Sequence, residues 1–218
     1  MVDYAAARTN MVESQLRTNR VWDQRLLEAF ETLPREAFVP EKARRFAYID
    51  EDLAIGQNRH LMEPMVLARL IQAAAIGEED MVLDLGCGLG YSTAVLARLA
   101  ATVVAVEQIG EFVTAATQAL DALEITNAVV VQETLTKGYA KQAPYDVILL
   151  GGAVAEVPQE IQDQLAEGGR LVTVLLDKDG LGRATLMRKD EGVVSGRVLF
   201  DAATPVLPGF ERKDGFVF

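Results

Sequence analysis

The stretch Val-Leu-Asp-Leu-Gly-Cys-Gly-Leu-Gly-Tyr, residues 82–91, decides the fold of this chain. Its first half is an apolar run typical of a buried β-strand, and its three glycines predict a sharp turn directly before a helix. A second apolar run, residues 102–106, ends at Glu107, whose two carboxylate oxygens can accept both hydroxyls of a ribose. The two segments together indicate a site for a nucleotide-type cofactor.

The spacing of the glycines bears on the kind of cofactor. Gly86, Gly88 and Gly90 form Gly-x-Gly-x-Gly, whereas a dinucleotide site has Gly-x-Gly-x-x-Gly, and its third glycine is Tyr91 here. Asp84 precedes the first glycine, where a carboxylate would repel a pyrophosphate. Carboxylates on both sides of the loop suit a cationic or hydroxyl-rich ligand, which disfavours a nicotinamide oxidoreductase.

A strand that ends in an acidic residue and Gly-x-Gly-x-Gly resembles the first motif of the S-adenosylmethionine-dependent methyltransferases. The resemblance implies S-adenosyl-L-methionine as the cofactor and no metal. It also implies a set of cofactor-binding positions along the strand ends: Asp84, Gly86, Cys87, Gly88, Gly90, Glu107, Gln108, Glu133, Thr134 and Gly151.

Composition limits the other possibilities. The chain has 218 residues, half of them apolar, which suits a single α/β domain over residues 1–218. Its 32 acidic and 21 basic residues give a formal charge of −11, and no basic cluster indicates a nucleic-acid partner. The single cysteine, Cys87, excludes an internal disulfide. No basic leader or apolar run of about 18 residues is present, so we expect a cytoplasmic protein without membrane spans.

The rhythm of apolar runs predicts the architecture. Near-continuous Val/Ile/Leu strands alternate with helices from residue 79 to about 150, which is typical of a parallel sheet buried on both faces. Later runs are separated by turn-rich Asp-Lys-Asp-Gly and Lys-Asp-Glu-Gly, which predicts antiparallel hairpins. The fold class is therefore α/β, a Rossmann-like doubly wound, mostly parallel sheet with antiparallel C-terminal strands. Residues 1–78 are expected to form an N-terminal helical cap and a substrate loop at 55–63, and 79–218 the cofactor-binding core.

Segments around the glycine loop allow a closer comparison. Leu-Pro-Arg-Glu-Ala-Phe-Val-Pro at 33–40, Ala-Tyr-Ile-Asp at 47–50 and Leu-Ala-Glu-Gly-Gly-Arg at 165–170 are similar to the protein-L-isoaspartate O-methyltransferase family. The resemblance runs from about residue 11 to 176. It implies methylation of the carboxylate of isoaspartyl residues in damaged proteins, with an isoaspartyl peptide or protein as the partner.

One segment departs from this family. Its members carry Ile-Gly-x-Gly-Gln-Thr-Ile-Ser-x-Pro, where the Thr and Ser hydroxyls lie near the transferring methyl and the acceptor carboxylate. Residues 55–64 here read Ile-Gly-Gln-Asn-Arg-His-Leu-Met-Glu-Pro. His60 therefore stands at the Thr position and Met62 at the Ser position, and a thioether cannot donate a hydrogen bond to a carboxylate.

The altered loop has two interpretations. Arg59 can offer a forked donor to an acceptor carboxylate while His60 orients the acceptor or accepts a proton. Alternatively, Arg59 and His60 are solvated and Met62 packs against the helix that begins at Pro64. Three functions stay open: isoaspartyl methylation, methylation of another acceptor such as a small molecule, and a non-catalytic S-adenosylmethionine-binding module. The closing Phe-Val-Phe, residues 216–218, is expected to cover the core, with self-association as the alternative.

Overall fold

A computed structural model of the protein describes residues 2–212, and the closing aromatic residues 216–218 lie outside this range. The α-helices are α1 (Tyr4–Met11), α2 (Gln24–Thr32), α3 (Pro64–Ala74), α4 (Tyr91–Ala97), α5 (Gly110–Ala122) and α6 (Gln159–Gln162). The strands are β1 (Leu53–Gly56), β2 (Arg59–Leu61), β3 (Met81–Leu85), β4 (Thr102–Glu107), β5 (Ala128–Gln132), β6 (Tyr145–Val154), β7 (Leu165–Leu176), β8 (Gly182–Asp190) and β9 (Val193–Asp201). A π-helical turn, Val12–Leu16, continues α1.

Seven strands form the central sheet in the order β5-β4-β3-β6-β7-β8-β9. Pairing is parallel from β5 to β7 and antiparallel between β7, β8 and β9. This arrangement confirms the predicted fold class. Strand β3 is the middle one of the five parallel strands, and its Leu85 pairs with Val106 on one side and Leu150 on the other. The carboxyl ends of β3, β4 and β6 therefore meet at one edge, which is where ligands bind in open α/β sheets.

The N-terminal helices pack onto the same apolar core as the sheet. The Asp23 side chain caps α2 by accepting the Leu26 N–H at 3.2 Å, and Pro64 occupies the first turn of α3. Buried residues of α2, α3 and α4 join one cluster with residues of β3, β4 and β6. No helix within residues 2–212 combines the length and apolar character that crossing a membrane requires.

The sequence-based expectation of an irregular loop at 55–63 was wrong. Strands β1 and β2 form an antiparallel hairpin in which Leu53 pairs with Leu61 and Ala54 with His60. Gln57 and Asn58 make its turn, with φ values of 53° and 56°. Left-handed φ at both central residues is the geometry of a type I′ hairpin turn. The sequence does not indicate this turn, because neither position is glycine, the usual residue for positive φ.

Strand β6 also continues beyond its predicted end at Leu150. Residues 151–154 remain extended because the C-terminal segment, residues 204–210, runs beside them. The Ala153 N–H donates to the Pro205 carbonyl at 3.0 Å, and the Leu207 N–H donates to the Ala153 carbonyl at 2.8 Å. The segment thus lies across the edge of the sheet where the glycine loop begins.

Candidate functional site

The glycine loop joins β3 to α4 at the carboxyl ends of the parallel strands. Gly86, Gly88 and Gly90 all have positive φ, at 82°, 57° and 96°, so the sharp turn predicted from them depends on glycine. Asp84 is the last residue but one of β3 and is completely buried. Both Ser92 Oγ and Thr93 Oγ1, at the start of α4, donate to its Oδ2 at 2.7 Å.

Asp84 carries an unusual proton affinity. Burial raises the pKa of its carboxyl to about 6, and the nearby Glu107 carboxylate adds to the rise, while the Thr93 and Ser92 hydroxyls oppose it. Its other oxygen, Oδ1, is buried without a hydrogen-bond partner among residues 2–212. The aspartate therefore anchors the loop to α4 and has one acceptor atom left unused.

Glu107 ends β4 and is also completely buried. Three backbone N–H groups point at its carboxylate: Gly88 donates at 3.0 Å, Gln108 at 2.9 Å and Ile109 at 3.1 Å. The two oxygens that would accept the ribose hydroxyls each receive a further bond from the same cation. The Arg59 Nη1 atom lies 2.8 Å from Oε1 and 2.7 Å from Oε2.

Arg59 reaches this site from the hairpin. Its side chain is 1% exposed, and its Nη2 atom donates to the Gly86 carbonyl at 2.7 Å, so the guanidinium bridges the ends of β3 and β4. The interpretation of Arg59 as a solvated loop residue was wrong, whereas its contact with an acceptor carboxylate stays a prediction. Arg59 is not solvated, and in this structure its partner is the expected ribose-binding carboxylate and not an acceptor carboxylate.

Apolar side chains cover the rest of the loop. A Cβ atom placed on Gly86 would lie 2.7 Å from Leu207 Cδ1 and 2.9 Å from Arg59 Nη2. A Cβ on Gly88 would lie 2.7 Å from Ile55 Cδ1. The hairpin and the C-terminal segment thus contact Gly86 and Gly88, the two glycines whose backbone is expected to face a bound cofactor. In this structure the Glu107 carboxylate is in contact with Arg59, and Gly86 is in contact with Arg59 and Leu207.

The hairpin places His60 and Met62 differently. Alternation along β2 turns Arg59 and Leu61 inward, while His60 faces the other side and is partly exposed. The His60 Nδ1 atom is buried and has no hydrogen-bond partner within the described residues. Met62 is 4% exposed, and its carbonyl accepts a 2.7 Å hydrogen bond from Arg35 Nη2.

The remaining expected positions surround this centre. Cys87 is buried, and burial first, with Asp84 and Glu107 adding, raises the pKa of its thiol, so the thiol stays protonated. Gly151 lies in β6 so close to the loop that a Cβ there would be 2.9 Å from the Gly86 carbonyl oxygen. Glu133 and Thr134 follow β5, where the exposed Glu133 carboxylate accepts the Thr134 N–H at 2.8 Å. Their contact with a cofactor stays a prediction, as does that of Gln108.

Several residues of the site were not singled out from the sequence. Ser92 and Thr93 hold Asp84, Leu207 covers Gly86, and Arg35 ties Met62 to the Ala47 carbonyl. The sequence gives a weak indication of a role for Ser92 and Thr93, because both lie in the first turn of the helix that follows the glycine loop. Arg35 lies inside the Pro-Arg-Glu-Ala-Phe-Val-Pro string, where its buried carbonyl contacts explain why an arginine stands in an apolar context.

Comparisons with known proteins agree on one family. The family model of protein-L-isoaspartate(D-aspartate) O-methyltransferase matches residues 7–203. The protein-L-isoaspartate O-methyltransferase of Methanoculleus marisnigri is 37% identical over 196 residues, which cover 88% of this chain and 89% of that protein.

Solved structures give the same result. A structure of a protein-L-isoaspartate O-methyltransferase is 25% identical, with a TM-score of 0.82, over 93% of this chain and 66% of that chain. A Plasmodium falciparum protein solved in complex with S-adenosyl-L-homocysteine shares the fold, at 18% identity and a TM-score of 0.78, over 95% of this chain and 99% of that chain. The chain belongs to the protein-L-isoaspartate (D-aspartate) O-methyltransferase family of S-adenosylmethionine-dependent methyltransferases.

Proposed function

We propose that this chain methylates the carboxylate of isoaspartyl residues in peptides or proteins, with S-adenosyl-L-methionine as the methyl donor. The family match over residues 7–203 carries the proposal. The donor side of the site supports it, because Asp84, the glycine loop and Glu107 stand at the ends of adjacent parallel strands. The glycine loop also resembles the first motif of S-adenosylmethionine-dependent methyltransferases, which supports the same donor.

The residues present suit a carboxylate acceptor in one respect. A carboxylate with an ordinary pKa of about 4 is already ionised at neutral pH, so no strong general base is required to activate it. The contribution left to the protein is to orient the acceptor and exclude water. Among residues 2–212, no group of three His, Cys, Asp or Glu side chains is arranged to hold a metal ion.

The acceptor side supports a weakened or redirected specificity. Neither His60 nor Met62 supplies the hydroxyl that the family places beside the acceptor, and the Met62 side chain is buried. The partly exposed His60 favours a second candidate, the methylation of another acceptor such as a small molecule. The Arg59 to Glu107 ion pair favours a third, a family member without catalysis, because the ribose-binding carboxylate is engaged.

A methyl-ester assay on an isoaspartyl peptide tests the proposal. The natural chain and the variant His60→Thr with Met62→Ser are compared at saturating S-adenosylmethionine, and alkali-labile ester is measured. We expect ester from both and a rate about tenfold higher in the double variant, since one hydrogen bond to a charged group contributes roughly 1.5–3 kcal/mol.

The control variant is Met65→Ser, which makes the same chemical change at a partly buried position on α3. It is expected to match the natural chain. Equal rates in the natural chain and the double variant would mean that the two hydroxyls have no role in this protein. Ester formed on a small carboxylic acid but not on the isoaspartyl peptide would favour the second candidate, and no ester on either would favour the third.

A further inference from the structure

The ion pair between Arg59 and Glu107 lies where the donor is expected to bind. Arg59 is 1% exposed and Glu107 is completely buried, and Nη1 contacts both carboxylate oxygens. Burying two charges is costly unless each is paired and further hydrogen-bonded. Here Nη2 binds the Gly86 carbonyl, and three backbone N–H groups complete the shell of Glu107. The arginine therefore satisfies the carboxylate in the way that a bound polar ligand would.

The hairpin is built to deliver this side chain. Gly56, Gln57 and Asn58 have φ values of 105°, 53° and 56°, so three successive residues adopt left-handed backbone. For Gln57 this conformation is unfavourable, because its Cβ crowds the following carbonyl. The turn sets the register Gly56 to Arg59, which directs the Arg59 side chain to the same face as Leu61. The contacts that Arg59 makes inside the donor site thus offset the energetic cost of the left-handed backbone at the turn.

Other contacts hold the hairpin against the glycine loop. Ile55 packs on Gly88, and Leu207 packs on Gly86 beside the guanidinium. Asp52, at the base of the hairpin, accepts the Glu63 N–H at 3.0 Å and the Thr204 hydroxyl at 3.1 Å. Through Asp52 the hairpin and the C-terminal segment are joined, and together they close the donor site from both sides.

We propose that Arg59 is an internal occupant of the donor site and sets the affinity of this chain for its cofactor. Its guanidinium takes both oxygens of Glu107, so S-adenosylmethionine binds only after the β1–β2 hairpin withdraws the arginine. The inference rests on the proposed function, because it assumes that Glu107 receives the ribose. The family carries glutamine at this position, a shorter and uncharged side chain that makes no ion pair with the carboxylate.

Calorimetric titration with S-adenosyl-L-homocysteine tests the inference. The variant Arg59→Gln is expected to bind about 10- to 100-fold more tightly than the natural chain. In the natural chain, molecules whose Arg59 side chain contacts Glu107 cannot bind the ligand, and this lowers the apparent affinity. Arg17→Gln removes the same charge from an exposed pair with Glu13 and is expected to bind like the natural chain. Adding Glu107→Gln to Arg59→Gln is expected to abolish the gain. An Arg59→Gln variant that binds no more tightly than the natural chain would overturn the inference.

A measurement on the natural chain avoids any loss of stability in the variant. Saturating S-adenosylhomocysteine is expected to speed amide hydrogen exchange in residues 53–61, since the hairpin must leave the loop. Slower or unchanged exchange there on binding would overturn the inference. Failure of the proposed function is distinct: Arg59→Gln would bind the ligand more tightly, yet form no methyl ester on the isoaspartyl peptide.

Discussion

At the residue scale, the two buried carboxylates, Asp84 and Glu107, have different hydrogen-bond partners. Glu107 is paired with a guanidinium and three N–H groups, whereas Asp84 receives two hydroxyl bonds on one oxygen and none on the other. Hydroxyls compensate burial less completely than a cation does, so burial raises the pKa of Asp84 to about 6. The charge of the site consequently depends on pH below neutrality.

The raised pKa of Asp84 predicts a pH-dependent stability. The folded chain binds the proton more tightly than the unfolded one, so this group's contribution is fully present below about pH 4 and is lost as pH rises through about 6. The stability difference between the natural chain and Asp84→Asn should change by roughly 2–3 kcal/mol between those limits and neutral pH. Urea unfolding at a series of pH values measures it.

The control for this measurement is Asp121→Asn, an exposed change on α5, which should leave the pH profile parallel to that of the natural chain. Glu63 contributes in the same direction, because burial, with Asp50 and Asp52 adding, raises the pKa of its carboxyl to about 7. In Asp84→Asn the free energy of unfolding should therefore still fall as the pH rises above about 6. An unchanged profile in that variant would mean that the pKa of Asp84 is the same in the folded and the unfolded chain.

At the element scale, the C-terminal segment, residues 204–210, completes the edge of the sheet. It bonds to β6 through Pro205 and Leu207, and the Phe210 carbonyl accepts the Ala155 N–H at 2.9 Å. Leu207 is 2% exposed and contacts Gly86 and Gly152, both of which lack the side chain that would otherwise fill this space. The segment is therefore part of the core and of the donor site at once.

Truncation of Leu207 measures what the segment contributes. Leu207→Ala leaves a cavity beside Gly86, so we expect a loss of about 2–5 kcal/mol in the free energy of unfolding, measured in urea. Leu181→Ala, on the β7–β8 turn where the side chain is 57% exposed, should change stability by less than about 0.5 kcal/mol. Equal losses in the two variants would place Leu207 outside the packed core.

At the scale of the whole molecule, the sheet could be predicted because its central strands are continuous apolar runs. Such runs require burial on both faces, and the glycine turn fixes where β3 ends. The hairpin could not be predicted, since β1 and β2 have only four and three residues and their turn lacks glycine. The contact between Arg59 and Glu107 could not be predicted either. The periodicity of a strand indicates which face a side chain is on, but it does not identify a partner 48 positions away in the sequence.

The net charge of the molecule leads to a prediction about salt. A formal charge of −11 at neutral pH means that acidic groups repel one another across the surface, which destabilises the compact state. Raising NaCl from about 10 mM to about 150 mM shortens the screening length from roughly 30 Å to 8 Å. The unfolding temperature at about pH 8 should rise by about 2–4 °C, the equivalent of roughly 1 kcal/mol.

Near the sequence pI of about 4.6 the net charge is small, so the same salt step at about pH 5 should leave the unfolding temperature almost unchanged. Scanning calorimetry at both pH values, with KCl in parallel, separates screening from binding of a particular cation. A rise of the same size at both pH values would contradict charge repulsion and indicate instead that salt strengthens apolar burial. The buried pair of Arg59 and Glu107 is shielded from the solvent and should contribute little to the salt effect.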